Sequence, residues 1–183
     1  MMRLALQIGL VMTCIMPSVG RAQQATPDLQ PVKVVAPARV DVPTSQGLMQ
    51  LAVHRSADWS QPLPEVTRAV LVFHGILRNA DVYYAGALAA RALAGPSAAA
   101  TLMIAPQFLS DADATAFPLA PQTLVWSRDS WSGGATAIAP VPVSSFEAID
   151  ALLAKLADNR LFPNLTSVVI AGHSGGGDRR AHV

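Results

Sequence analysis

Three short, largely apolar runs constrain the fold of this chain more than any other feature: Ala69–Phe73, Thr101–Ala105 and Thr166–Ala171. A strand that reads apolar at successive positions is one covered on both faces. Between the first two runs lies Asn79–Ala94, rich in Ala and Leu and stopped by Gly95-Pro96, which reads as a helix. Between the second and third lies Ser144–Asp158. There Ser144 can cap a helix and Glu147 can reciprocate three residues on, while Phe146, Ile149, Leu152, Leu153 and Leu156 keep the helical period. Apolar strands alternating with helices imply parallel strands joined by helical crossovers. The fold class is α/β.

Upstream of these runs, Val32–Val42 reads as an edge strand with breaks at Pro37 and Pro43, and Gly47–His54 as a second strand. The turn Pro43–Gly47 joins them closely enough for an antiparallel pair. The expected architecture is therefore a doubly wound, mostly parallel sheet with an antiparallel start. Thr101–Ala105 should end at Pro106, and Gln107–Pro142 reads as an irregular, aromatic excursion holding Trp126, Trp131 and Gly133-Gly134. Such excursions beyond central strands are where α/β folds bind ligands. The two tryptophans either line a substrate or cap site or pack the excursion onto the core.

Composition narrows the function classes. The 183 residues are 51% hydrophobic and 14% charged, with a net charge of +1. This suits one domain with a sizeable core and excludes a disordered chain. It gives no electrostatic reason to expect nucleic acid or an anionic membrane as partner. Residues 1–22 read as a secretory signal: Met1-Met2-Arg3 is a basic start, Leu4–Met16 is mostly apolar, and small residues precede a cut after Ala22. The alternative is an amino-terminal core helix. The stretch is short for a membrane span, which needs about 20 apolar residues. A secreted or periplasmic location follows, with 23–31 as a polar tether and 32–183 as the domain. Cutting there removes Cys14, leaving neither a disulfide nor a thiol nucleophile. The four histidines have no ligand-like spacing with one another or with carboxylates, so neither a metal nor another cofactor is expected.

Chemistry concentrates where the third run ends. Gly172-His173-Ser174-Gly175-Gly176 fits G-x-S-x-G directly after a strand. A serine on a sharp strand-to-helix turn occupies strained backbone, so its neighbours must be nearly free of side chains, as Gly172 and Gly176 are. N–H groups at the start of a following helix would stabilise an oxyanion formed by attack on a carbonyl. Two other readings stay open. One is a glycine-rich turn with a structural serine. The other is that Ser174-Gly175-Gly176-Gly177-Asp178 resembles the S-G-G-x-D of PP-loop ATP pyrophosphatases, in which glycine amides cradle pyrophosphate. That motif normally continues to a serine, where Arg179 stands here, and it normally opens its domain.

A second motif, Phe73-His74-Gly75-Ile76, lies between the first apolar run and the helix from Asn79. The order strand, His-Gly, helix, strand, helix, strand, G-x-S-x-G resembles the α/β-hydrolase superfamily, over about Val32 to Gly177, the first half of that fold. The resemblance implies an esterase- or lipase-like serine hydrolase acting on a small ester or related carbonyl substrate. Ser174 would be the nucleophile, with oxyanion donors at the main-chain N–H groups of Ile76 and Gly175. His74, Gly75, Gly172, His173 and Gly176 would support the two motifs. In that family the acid and the histidine follow the nucleophile on later loops. Asp178 and His182 lie too close after Ser174 to serve, His54 sits on an early strand, and His173 lies inside the motif. The expectation is thus a domain truncated after the elbow, with impaired activity. The competing class is a non-catalytic fragment or binding protein on the same scaffold. An unpaired apolar edge at Thr166–Ala171 would favour self-association. Asn164-Leu165-Thr166 fits a glycosylation sequon, though Pro163-Asn164 also reads as a turn.

Overall fold

The computed structural model describes residues 30–174, and the expected signal, most of the tether and everything after Ser174 lie outside them. The described chain forms an α/β fold around a mixed five-stranded sheet in the order β1-β2-β4-β3-β7. Its strands are β1 (Ala38–Thr44), β2 (Gly47–Arg55), β3 (Arg68–Phe73), β4 (Thr101–Gln107) and β7 (Ser167–Gly172). β1 and β2 form the expected antiparallel hairpin, and β2 continues antiparallel onto β4. The expected break at Pro43 does not occur: β1 runs through it to Thr44, because β1 is the sheet's edge strand, where proline is tolerated. β4 with β3, and β3 with β7, are parallel. The antiparallel start thus reaches further into the sheet than a mostly parallel arrangement implies.

Helix α1 (Ala80–Ala94) carries the β3–β4 crossover, and α3 (Ser145–Leu156) leads into β7. α1 ends at Gly95, whose φ of +61° favours glycine. α3 begins with the expected capping box: Phe146 N–H donates to the Ser144 hydroxyl at 3.1 Å, and Ser144 N–H donates to Glu147 at 2.7 Å. Along β3, Ala69, Leu71 and Phe73 enter the main core with Ile149, Leu152 and Leu156 of α3. The alternate residues Val70 and Val72 line an apolar cleft with Val82, Tyr83 and Ala87 of α1. Successive strand residues point to opposite faces, so the two helices cover opposite faces of the sheet.

Four local expectations are corrected. β4 runs through Pro106 to Gln107 because its ladder with β3 has already ended at Ile104, so the missing proline N–H interrupts nothing on that side. Residues 32–37 are not strand. Val32 and Ala36 are buried instead, their main-chain N–H groups donating to the side-chain oxygens of Asp113 and Gln107. The excursion after β4 is partly ordered into secondary structure: β5 (Leu109–Ser110) pairs with β6 (Val125–Trp126), and α2 (Asp111–Ala116) lies between them. Finally, β7 is not covered on both faces. Val168 and Val169 are 40% and 42% exposed, because among the described residues β7 pairs with β3 alone.

Candidate functional site

Register brings the two sequence motifs together. In the parallel β3–β7 ladder the last pair is Phe73 with Gly172. Two residues beyond each stand Gly75 and Ser174, so the loops leave the sheet side by side. A Cβ placed on Gly75 would lie 3.4 Å from the Ser174 Cβ and 3.6 Å from the His173 carbonyl oxygen. The close approach, rather than a left-handed backbone, is what Gly75 provides. The strained residue is Ser174 itself, whose φ of +54° is unusual for a side-chain-bearing residue. Gly172 ends β7, as the strand-to-turn reading requires. Gly75, Ile76, Leu77, Asn79, Tyr83, His173 and Ser174 line one cavity of about 290 Å³. It opens where the chain has turned back across the sheet. β4 lies on one side of β3 and β7 on the other, the arrangement that leaves a crevice at strand C-termini.

His74 is wholly buried beneath this loop, edge-on to Trp131 at 4.5 Å between ring centroids. Its Nε2 accepts from Phe108 N–H at 3.1 Å, and its Nδ1 donates to the Gly75 carbonyl at 2.8 Å. A carbonyl only accepts and an amide only donates, so these partners assign the tautomer. Both ring nitrogens are committed, and His74 is a support for the loop. The Gly75 carbonyl also accepts from Arg78 N–H at 3.1 Å. In a trans peptide the following N–H points the opposite way. The Ile76 N–H is therefore turned away from these partners, and it donates to no acceptor among the described residues.

Sequence reasoning missed the group that fixes the far end of this loop. Arg78 has a φ of +57° and a fully buried guanidinium. Its Nε donates to Asp113 at 2.8 Å, and its terminal nitrogens reach the carbonyls of Gln30 at 2.7 Å and Ile76 at 3.3 Å. Asp113, also fully buried, accepts from Val32 N–H and Ser110 N–H at 2.7 Å each. Burial alone would raise the Asp113 pKa, but the donors from Arg78, Ser110 and Val32, with the Arg78 charge, hold it below the ordinary carboxylate value. Gln107 completes the network, donating to the carbonyls of Arg78 and Val34 at 2.9 Å. Arg, Asp and Gln in loops read as solvated surface. Only their wholly buried positions reveal the network.

The other histidines stand apart from Ser174 chemistry or beside it. His173 Nδ1 lies 3.2 Å from the Tyr83 hydroxyl, a cavity residue the sequence did not flag. His54 stacks on Tyr84 at 5.2 Å, and its buried Nε2 has no hydrogen-bond partner among the described residues. Burial lowers the His54 pKa, with Asp81 opposing the shift. Gly175, Gly176, Asp178 and His182 lie outside the described residues. Trp126 and Trp131 are both fully buried and pack against Phe108, so the tryptophan loop is core packing. The Asn164 amide donates to the Pro64 carbonyl at 2.8 Å, consistent with a turn. Among the described residues no group of three acidic, histidine or cysteine side chains is gathered to hold a metal, and no helix is long and apolar enough to cross a membrane.

No family model, curated protein or solved structure matches the chain.

Proposed function

We propose that this chain carries the nucleophile elbow and oxyanion loop of an α/β-hydrolase-type serine hydrolase acting on an ester or related carbonyl compound. One observation carries the reading: a serine with a φ of +54° leaves β7 against the glycine loop that leaves β3, and both open into one cavity. Strain at a side-chain-bearing residue persists only where the surroundings over-determine it, and such residues cluster at active sites. Ser174 Oγ would attack the substrate carbonyl carbon; as the ester C–O bond then breaks, an acyl-serine is left and the alcohol departs with the proton that the hydroxyl gave up. The Ile76 N–H, and the Gly175 N–H outside the described residues, would receive the negative charge that develops on the carbonyl oxygen.

The described residues supply no evident base. His74 has both ring nitrogens bonded, His54 stacks on Tyr84, and His173 Nδ1 is engaged with Tyr83. An unassisted serine hydroxyl is a weak nucleophile, which favours the second reading, a binding protein on the same scaffold. A fluorophosphonate probe separates the two. Covalent labelling that disappears in Ser174→Ala supports the hydrolase. Labelling at the rate of the Ala variant overturns it and leaves the binding reading, which requires a carbonyl ligand to shift the NMR signals of Ile76 and Tyr83.

A further inference from the structure

We infer that the buried Arg78–Asp113 pair is a positioning device, holding the Gly75–Ile76 peptide so that the Ile76 N–H faces the cavity beside Ser174. The catalytic meaning of this inference rests on the proposed hydrolase reading; the structural part does not.

The geometry runs through two carbonyls. Gly75 C=O is held by the Arg78 main-chain N–H at 3.1 Å and by His74 Nδ1 at 2.8 Å. Ile76 C=O is held by the Arg78 side chain at 3.3 Å. One residue thus grips the peptide groups on both sides of Ile76, by its backbone and by its guanidinium. It does so from left-handed backbone, a conformation a long side chain adopts at a cost unless its surroundings compensate. Asp113 supplies that compensation, at 2.8 Å from Nε and 3.4 Å from a terminal nitrogen. Gln107 holds the Arg78 carbonyl at 2.9 Å, so the residue is fixed at its backbone as well as its head.

The anchor itself is assembled from three parts of the chain. Asp113 is on α2, Gln107 ends β4, and Gln30 and Val32 bring the amino-terminal segment in. All of them converge on a loop that otherwise only joins β3 to α1. A loop that merely connected two elements would be served by its backbone bonds alone. An oxyanion donor, in contrast, acts only if it is fixed before charge develops, because reorientation during the reaction removes the benefit. A planar guanidinium with several donors in a fixed fork suits this role, and an ammonium does not.

The test uses the full chain with Arg78→Lys and with the double variant Arg78→Met/Asp113→Asn. The double variant removes both charges together, so no unpaired buried charge is left to unfold the protein. Two readouts are taken below the melting transition of each variant: amide hydrogen exchange along the chain, and the concentration dependence of fluorophosphonate labelling at Ser174. The expected result is about tenfold faster exchange at residues 75–79, with β3 and β4 unchanged. The maximal labelling rate is expected to fall about tenfold while the half-saturating probe concentration stays constant, a split that general loosening would not give. Unchanged exchange at 75–79 in the folded variants overturns the inference. So does faster loop exchange with an unchanged maximal labelling rate. If the unaltered chain is not labelled at all, the hydrolase reading fails, and the exchange data alone decide whether the pair holds the loop.

Discussion

Gly75 meets Ser174 across the ends of two parallel strands, so closely that a methyl group on Gly75 would rest 3.4 Å from the Ser174 Cβ and 3.4 Å from the Tyr83 hydroxyl. Those are contact distances, so the fold can accept one added carbon. The cavity cannot accept it without losing the space beside the serine. Gly75→Ala should therefore fold with a melting temperature close to that of the unaltered chain and label at Ser174 about tenfold more slowly. Gly75→Val, with two further carbons in the same space, should be worse in both respects. Thermal melts and probe labelling of both variants check this.

The Asp113 carboxylate gives the protein an acid limit of known sign. Its folded-state pKa is held below the ordinary value of 3.8, chiefly by the donors that outweigh its burial. A carboxyl depressed on folding contributes its full stability above its unfolded pKa and loses it as pH falls through the folded value. Asp113→Asn leaves the Arg78 charge buried without its partner and should cost about 3–5 kcal/mol near neutral pH. Urea unfolding should show that gap constant above about pH 5 and narrowing below about pH 4. A gap independent of pH would mean that the carboxylate does not carry the interaction.

The elements that were legible in the sequence are those whose signals are local. The Ser144–Glu147 box, the Gly95 stop of α1 and the hairpin turn before Gly47 each rest on a few neighbouring residues, and each forms, the turn tighter than read because Pro43 and Thr44 stay in β1. β7 was legible as a strand and as the edge of the sheet, but its apolar run also read as covered on both faces, because composition does not record which neighbours arrive. The site divides in the same way. His74, Gly75 and Ser174 were readable from strand-then-glycine spacing, and register then brings them together. Arg78, Asp113 and Gln107 were not, since polar residues far apart in sequence reveal their meaning only when burial forces them to pair.

The exposed flank of β7 has its own consequence. Ser167–Gly172 carries no charge and no proline, the usual protections of an edge strand; among the described residues it pairs with β3 alone, and Val168 and Val169 are exposed. The chain should associate with rising concentration through this strand. Val169→Lys should shift sedimentation velocity profiles toward the monomer at concentrations where the unaltered chain is associated. Equal profiles for the two would remove β7 from the interface.

Ser174 also allows a test of strain that does not depend on turnover. A φ of +54° costs a side-chain-bearing residue about 1–2 kcal/mol, whereas glycine adopts it freely. Ser174→Ala removes the hydroxyl and keeps the strain; Ser174→Gly removes both. Glycine also has a more flexible unfolded state, which offsets about 0.5–1 kcal/mol of the relief. The Gly variant should therefore be more stable than the Ala variant by up to about 1.5 kcal/mol in urea unfolding. Neither should be labelled by the probe. A position where glycine is the more comfortable residue and serine stands instead is one where the hydroxyl serves something other than the fold. A Gly variant less stable than the Ala variant would show that the turn prefers a side chain and would withdraw strain from the case for Ser174.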